Sequence, residues 1–308
     1  MTAATPPKYT TPARATGQQA GHSDPPYLAV TSYGLSDTGR VRGSNEDCFV
    51  VADFARNLTV RQTNIPQPAS RASSHRVHVF LVADGVGGNK AGEVASALSL
   101  VTVEDLLLNA FQRLTMLKPG EEQSVLNDLH TALFQADARL FREAARHPEW
   151  RGMGTTLTMA LAVNRQLLVA HAGDSRCYLF SQGGLRQITQ DHTLTAEMER
   201  TGLISREELK SHPWRHVVTN LVGGSEAGVR TELHSLELHA DDAILLCSVG
   251  LTEMLSEGRI SDILRDDGDP RSVCETLVVE ANRLGGRDNI TVVVARFTAA
   301  PAASAHPR

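Results

Sequence analysis

The chain has few cysteines and no pattern among them. Four occur in 308 residues, Cys48, Cys177, Cys247 and Cys274, far apart and without a CxxC pair. That spacing excludes a zinc ribbon or a dithiol redox motif. Three of them stand in apolar or strand-like stretches, where a buried free thiol is the ordinary state, so a reducing compartment is expected. Long hydrophobic runs are missing too. The longest, Ala243 to Leu251, contains Ser248 and Gly250 and falls far short of the ~20 residues of a membrane helix. Residues 1–26 have no apolar core and do not read as a secretory signal. No polybasic run appears and the net charge is −5, while Trp150 and Trp214 stand singly and offer no stacking platform for nucleic acid. The expectation is a soluble cytoplasmic protein with neither a membrane nor a nucleic-acid partner.

What is present is ordinary globular sequence, 41% hydrophobic and 21% charged. Residues 1–27, rich in Pro, Thr, Ala and Gly, cannot bury a core and read as a disordered tail, as do residues 299–308. Between them, 28–298 has no linker long enough to split it and no repeat of fixed period, so a single domain is expected. Strands are expected at Cys48–Ala52, Val77–Val82, Leu157–Val163, Gln166–Ala172, Cys177–Phe180, Ala243–Cys247 and Ile290–Phe297, with a tight hairpin at Asn164-Arg165. Helical spacing of apolar residues marks Glu93–Phe111 and Ser124–Ala145. Residues 55–76, polar and carrying Pro66 and Pro68, read as a loop insertion between strands. Residues 193–216 read as a small lid-like segment, with Ser205 as a helix N-cap. Paired helices among many antiparallel strands imply an α+β fold, a central β-sandwich flanked by helix pairs in four α/β/β/α layers.

Acids stand at the ends of these strands. Arg42 precedes Glu46 and Asp47 in RGSNED (42–47). That cluster reads either as a surface salt bridge or as a phosphate grip, since a guanidinium suits paired hydrogen bonds to phosphate. Asp84 ends a buried strand and is followed by Gly85, Gly87 and Gly88. A desolvated carboxylate needs compensating charge, which a cation would supply. Asp174 follows one strand and Asp288 precedes the last. Each alone is a weak signal, but a sandwich could bring all three to one rim, where hard oxygen ligands select Mg²⁺ or Mn²⁺ over zinc.

With ADGVGGNKAGEVAS (83–96), GMGTTLTMA (152–160), HAGDSRCYL (171–179), ITQDHT (188–193), HPWRHVVTNLVGG (212–224), LLCSVGLTEML (245–255) and GRDNITVVV (286–294), these stretches resemble, in order, the metal-dependent protein Ser/Thr phosphatases of type 2C, bacterial branch. The resemblance covers about residues 30–298 and implies the same four-layer sandwich. It implies that Asp84 bridges two Mg²⁺ or Mn²⁺ ions with the Gly85 carbonyl on one, and that Asp288 binds the other. Glu46 and Asp47 would hold metal-bound waters, and Asp174 would belong to a third, weaker site. Arg42 would hold the substrate phosphate while a water bridging the two cations attacks phosphorus in line. The partners implied are phosphoserine and phosphothreonine proteins, opposing a Ser/Thr protein kinase, with the enzyme a monomer.

Two positions depart from the family's pattern. Val86 stands where some members place a histidine that protonates the leaving group. Val249, in Ser248-Val249-Gly250, stands where the family has an aspartate that binds metal directly. Valine has no ligand atom, so weaker metal binding is expected. Two readings follow: a phosphatase with reduced activity, or a catalytically silent pseudophosphatase that binds phosphoproteins or other partners.

Overall fold

The computed structural model describes residues 28–57, 72–87, 91–114, 117, 120–266 and 268–300. The tail at 1–27, residues 58–71 of the 55–76 insertion and residues 301–308 lie outside them. Apolar runs with β-branched residues form strands β1 (Leu28–Asp37), β2 (Asp47–Asn57), β3 (Ala72–Val86), β4 (Gly154–Thr155), β5 (Leu157–Val163) and β6 (Gln166–Ala172). The later strands are β7 (Arg176–Ser181), β8 (Gly184–Gln187), β9 (Val222–Gly223), β10 (Glu232–Glu237), β11 (Ala243–Cys247) and β12 (Ile290–Ala299). The helices are α1 (Ala91–Leu114), α2 (Glu122–Arg146), α3 (Leu194–Arg200), α4 (Arg206–Ser211), α5 (Val249–Thr252), α6 (Glu257–Arg265) and α7 (Pro270–Arg283). None of them is long and apolar enough to cross a membrane.

All strand pairs are antiparallel. One sheet runs β1-β12-β11-β7-β8; the other runs β10-β6-β5-β3-β4-β9, with β2 also on β3. Side chains alternate across each strand, and here both faces are covered. From β3, Phe80 and Val82 enter the layer between the sheets with Val169, Leu246, Val293 and Phe297. Val79 and Leu81 face the other way, with Leu129 and Leu133 of α2. On the far side, Leu245 and Val294 meet Ile260 of α6 and Leu277 of α7. The expected α/β/β/α order is therefore present.

Helices α6 and α7 lie outside the expected elements, although both carry side-chain caps, Ser256 and Asp269. Strands β2 and β3 also run longer than expected. They continue past Ala52 and begin before Val77, with a register shift between Ala55 and Asn57. At the other end of the same pair, Asp47 stands opposite Asp84.

Candidate metal and phosphate site

Two carboxylates directly opposite each other repel, and strand pairs normally avoid them. Asp47 and Asp84 take that arrangement at the rim of the sandwich. Asp47 is only 6% exposed. One of its carboxylate oxygens accepts from the Ser248 hydroxyl at 2.7 Å; the other is buried and has no hydrogen-bond partner among the described residues. Burial, opposed by the hydrogen bond from Ser248, pushes the Asp47 carboxyl up to about 6. The Asp84 carboxyl lies well above the usual range, first through burial and then through the charges of Asp47, Asp174 and Asp288, with Arg42 opposing. Four acids from distant parts of the chain therefore share one electrostatic environment.

Backbone and hydroxyl groups hold them there. Asp84 N–H donates to Thr156 Oγ1 at 2.9 Å, and the Asp84 carbonyl accepts from Thr155 Oγ1 at 2.9 Å and from Thr156 N at 2.9 Å. Thr156 Oγ1 also meets Ser175 Oγ at 2.7 Å, which fixes the turn carrying Asp174. Burial foremost, then the charge of Asp191, raises the Asp174 carboxyl to about 6. Glu46 is raised by burial, with Arg42 pulling the other way. A side chain at Gly85 would strike the Gly92 carbonyl and lie 2.8 Å from the Glu46 carbonyl. Only glycine lets the start of α1 close over the Asp84 turn this tightly.

Asp288 precedes β12, where Asn289 joins several loops. The Asn289 side chain accepts from Glu46 N–H at 2.9 Å and donates to the carbonyls of Thr38 and Ser44, each at 2.9 Å. Arg42, on the loop so held, does not pair with the nearby Glu46 or Asp47. Its Nε meets Asp288 Oδ1 and its Nη2 meets Asp288 Oδ2, each at 2.8 Å, across 246 residues of sequence. Val249 opens α5 at the same rim, since a Cβ on the adjacent Gly250 would come within 3.3 Å of Asp288 Cβ. Neither neighbour of Val249 that could replace a lost carboxylate is free. Ser248 is engaged by Asp47, and Glu253 meets His216 Nδ1 at 2.9 Å.

The structure thus brings together Arg42, Glu46, Asp47, Asp84, Gly85, Asp174, Asp288 and position 249. Asn289, Thr155 and Thr156 also shape the site without any sequence signal beyond their place beside the site acids, and Ser248, a weak candidate to fill the place of a ligand at 249, instead holds Asp47. The partnerless buried oxygen of Asp47 and the unneutralised charge around Asp84 fit hard divalent cations bound through oxygen. The fit is poorer on the Asp288 side, where the carboxylate is already matched by Arg42 and position 249 is apolar.

Among the described residues, one further group could close on a cation: His171, His192 and Glu232, with ligand atoms within 4.8 Å of one another. Its hydrogen bonds argue otherwise. His192 Nδ1 accepts from Gly173 N–H at 3.1 Å and lies 2.9 Å from Asn220 Nδ2, so its proton sits on Nε2, facing Glu232 at 3.2 Å. His171 Nε2 faces the carbonyls of Gly173 at 3.0 Å and Gln190 at 3.1 Å, and Nδ1 faces the Thr158 hydroxyl at 2.9 Å. A cation on either Nε2 would displace those protons and leave N–H donors pointed at His192 Nδ1. The group braces the Asp174 turn.

The family model described as Protein phosphatase 2C matches residues 50–207. Serine/threonine phosphatase stp of Listeria welshimeri is 34% identical over 84% of this chain and 92% of its own length. Serine/threonine protein phosphatase PstP of Mycobacterium tuberculosis is 34% identical over 84% of this chain and 43% of its own. The crystal structure of the Mycobacterium tuberculosis phosphatase PstP/Ppp superposes with a TM-score of 0.71 at 31% identity, covering 88% of this chain and 99% of that one. The catalytic domain of PstP in complex with two manganese ions gives a TM-score of 0.69 at 30% identity, with the same coverage of 88% and 99%.

Proposed function

This chain belongs to the protein phosphatase 2C family and is a metal-dependent protein serine/threonine phosphatase using two divalent cations, Mg²⁺ or Mn²⁺, and from that premise we propose how its own residues divide the work. The observation that carries the reading is the convergence of Asp47, Asp84, Asp174 and Asp288 beside Arg42 at one rim. The substrates are phosphoproteins. We assign them as phosphoserine and phosphothreonine proteins that a Ser/Thr kinase has modified, met in the cytoplasm by a monomeric enzyme whose catalytic unit spans 28–298.

Asp84 would hold both cations, with the Gly85 carbonyl on one and Asp288 on the other, and Glu46 and Asp47 would orient water around them. Asp174 would belong to a third, weaker site. When bound, the cations supply a nucleophilic water at neutral pH and neutralise charge on the phosphate. The chain's own contribution is position and charge. Arg42, 56% exposed at the mouth, turns its fork to the phosphate oxygens and stabilises the charge that spreads over them in transit. Ser248 fixes one oxygen of Asp47 and leaves the other to accept from an ordered water. Val86 offers no proton beside Gly85, so the leaving alkoxide takes its proton from water.

The phosphatase names of the relatives and the retention of Arg42, Asp84 and Asp288 favour the enzyme over a silent binding module. Val249 sets its metal requirement. The test is p-nitrophenyl phosphate hydrolysis against Mn²⁺ concentration. Val249→Asp should lower the half-saturating Mn²⁺ by about tenfold or more, because one added direct carboxylate strengthens a divalent site. Arg42→Ala should cost about 10²-fold or more in kcat/KM, the usual loss when one fixed transition-state donor goes. Equal Mn²⁺ requirements in the native chain and Val249→Asp would refute the ligand argument. A native chain inert at every Mn²⁺ concentration, with Val249→Asp active, would favour the silent module.

A further inference from the structure

Among the described residues, Asp288 is the one acid of the rim whose two oxygens are both already met by a cationic side chain. Arg42 reaches them with two different nitrogens at 2.8 Å, and Asn289 N–H adds a third donor on Oδ1 at 2.9 Å. A carboxylate has about four lone-pair positions, so little capacity is left for a further ligand. This fork is the strongest geometry a carboxylate can make with a side chain. It is also open to exchange: Arg42 is 56% exposed and Asp288 25% exposed. The hydrogen bond that Arg42 donates to Asp288 is the foremost influence holding Arg42 in its charged form, with Asp84 and Glu46 adding their fields. The Asp84 end differs. There, an oxygen of Asp47 is buried without a partner, and no cationic side chain lies in a paired contact with Asp47 or Asp84 among the described residues. At position 249, where a second carboxylate would compete with Asp288 for Arg42, the side chain is an isopropyl group.

We propose that Arg42 is the resident counter-cation of Asp288, and that the second divalent ion binds only by displacing it. The inference rests on the two-cation reading above and deepens it. The two ions load in order and unequally: the first at Asp84, the second at Asp288 once Arg42 has let go. The same residue is therefore a competitor in the resting site and the phosphate ligand in the loaded one. Metal loading and phosphate capture become linked through one side chain, because phosphate offers the fork an alternative partner.

Calorimetric titration of the full chain with Mn²⁺, in the absence of any phosphate, tests this without reading activity. The native chain should show two separated binding steps. Arg42→Ala should tighten the weaker step by about tenfold, the scale of one lost charge-assisted hydrogen-bonded pair, and leave the tighter step within about twofold. Arg42→Lys keeps the charge but cannot cover both oxygens, so it should also tighten the weaker step, by less. Circular dichroism confirms that each variant is folded. The proposal is overturned if Arg42→Ala leaves the weaker step unchanged, or tightens both steps equally, as a general field effect would. It is also overturned if Arg42→Lys matches the native chain. Failure of the phosphatase reading looks different: the binding steps would behave as described while p-nitrophenyl phosphate stays intact.

Discussion

Asp47 and Asp84 face each other across β2 and β3, so the site is built at the expense of the sheet. Both carboxyls are raised, Asp84 well above its usual range and Asp47 to about 6, chiefly by burial. Above the ordinary aspartate range the unfolded chain gives up these protons more easily than the folded one, so without metal these residues reduce stability as pH rises. Asp84→Asn should therefore raise the thermal midpoint in EDTA by several degrees, equivalent to about 1–3 kcal/mol. In excess Mn²⁺ the order should reverse, because only the native chain gains stability from the ions. A lower midpoint for Asp84→Asn in EDTA would refute the strain argument.

His171 acts in the opposite sense. Burial, helped by His192, lowers its pKa to about 4. Between that value and the ordinary histidine range the unfolded chain binds the extra proton. The stabilising contribution is thus present above the unfolded pKa and lost as pH falls. From pH 7 to pH 5 this amounts to about 2 kcal/mol. His171→Asn does not titrate, so urea unfolding should show the native-minus-variant difference shrinking by about that amount over the same interval. A difference that stays constant would mean that His171 is not held neutral.

At the scale of elements, the legible parts were those whose chemistry is local. The hairpin expected at Asn164-Arg165 joins β5 and β6, and Asn164 takes a positive φ of 56°, which asparagine tolerates better than most residues. The Ser205 cap is present, and its backbone N–H donates in return to the Glu208 carboxylate at 2.7 Å. The two long helices begin and end within three residues of their expected bounds. What was not legible was long-range pairing. Nothing in RGSNED says that Arg42 turns from its neighbours to Asp288, nor that Ser248 bonds Asp47 across 201 residues. Helix α2 gives another case. Asp137, on its buried face, accepts from Gly223 N–H at 2.7 Å and Gly228 N–H at 3.0 Å. In sequence it is an acid breaking an apolar stripe. Asp137→Ala leaves both donors without their acceptor and should cost about 2–4 kcal/mol in urea unfolding; Asp137→Asn, which keeps one acceptor oxygen, should cost less. Equal stability of all three would show that water replaces the carboxylate freely.

Across the whole molecule, the two sheets bring the ends of β2, β3 and β6 and the approach to β12 to one rim, which is why acids so distant in sequence form one site. The fold supplies the carboxylates; under the ligand arrangement proposed above, Val249 weakens their hold on metal. The family membership and the retained acids predict an enzyme that works but demands more metal. The most direct test is release of phosphate from a phosphothreonine peptide by the native full chain, with Mn²⁺, with EDTA, and with Asp84→Asn. The expected result is turnover that rises with Mn²⁺, stops in EDTA and falls by about 10³-fold or more in Asp84→Asn, as the ligand role proposed for Asp84 requires. Turnover that survives EDTA or Asp84→Asn, or its absence at saturating Mn²⁺, would contradict the account.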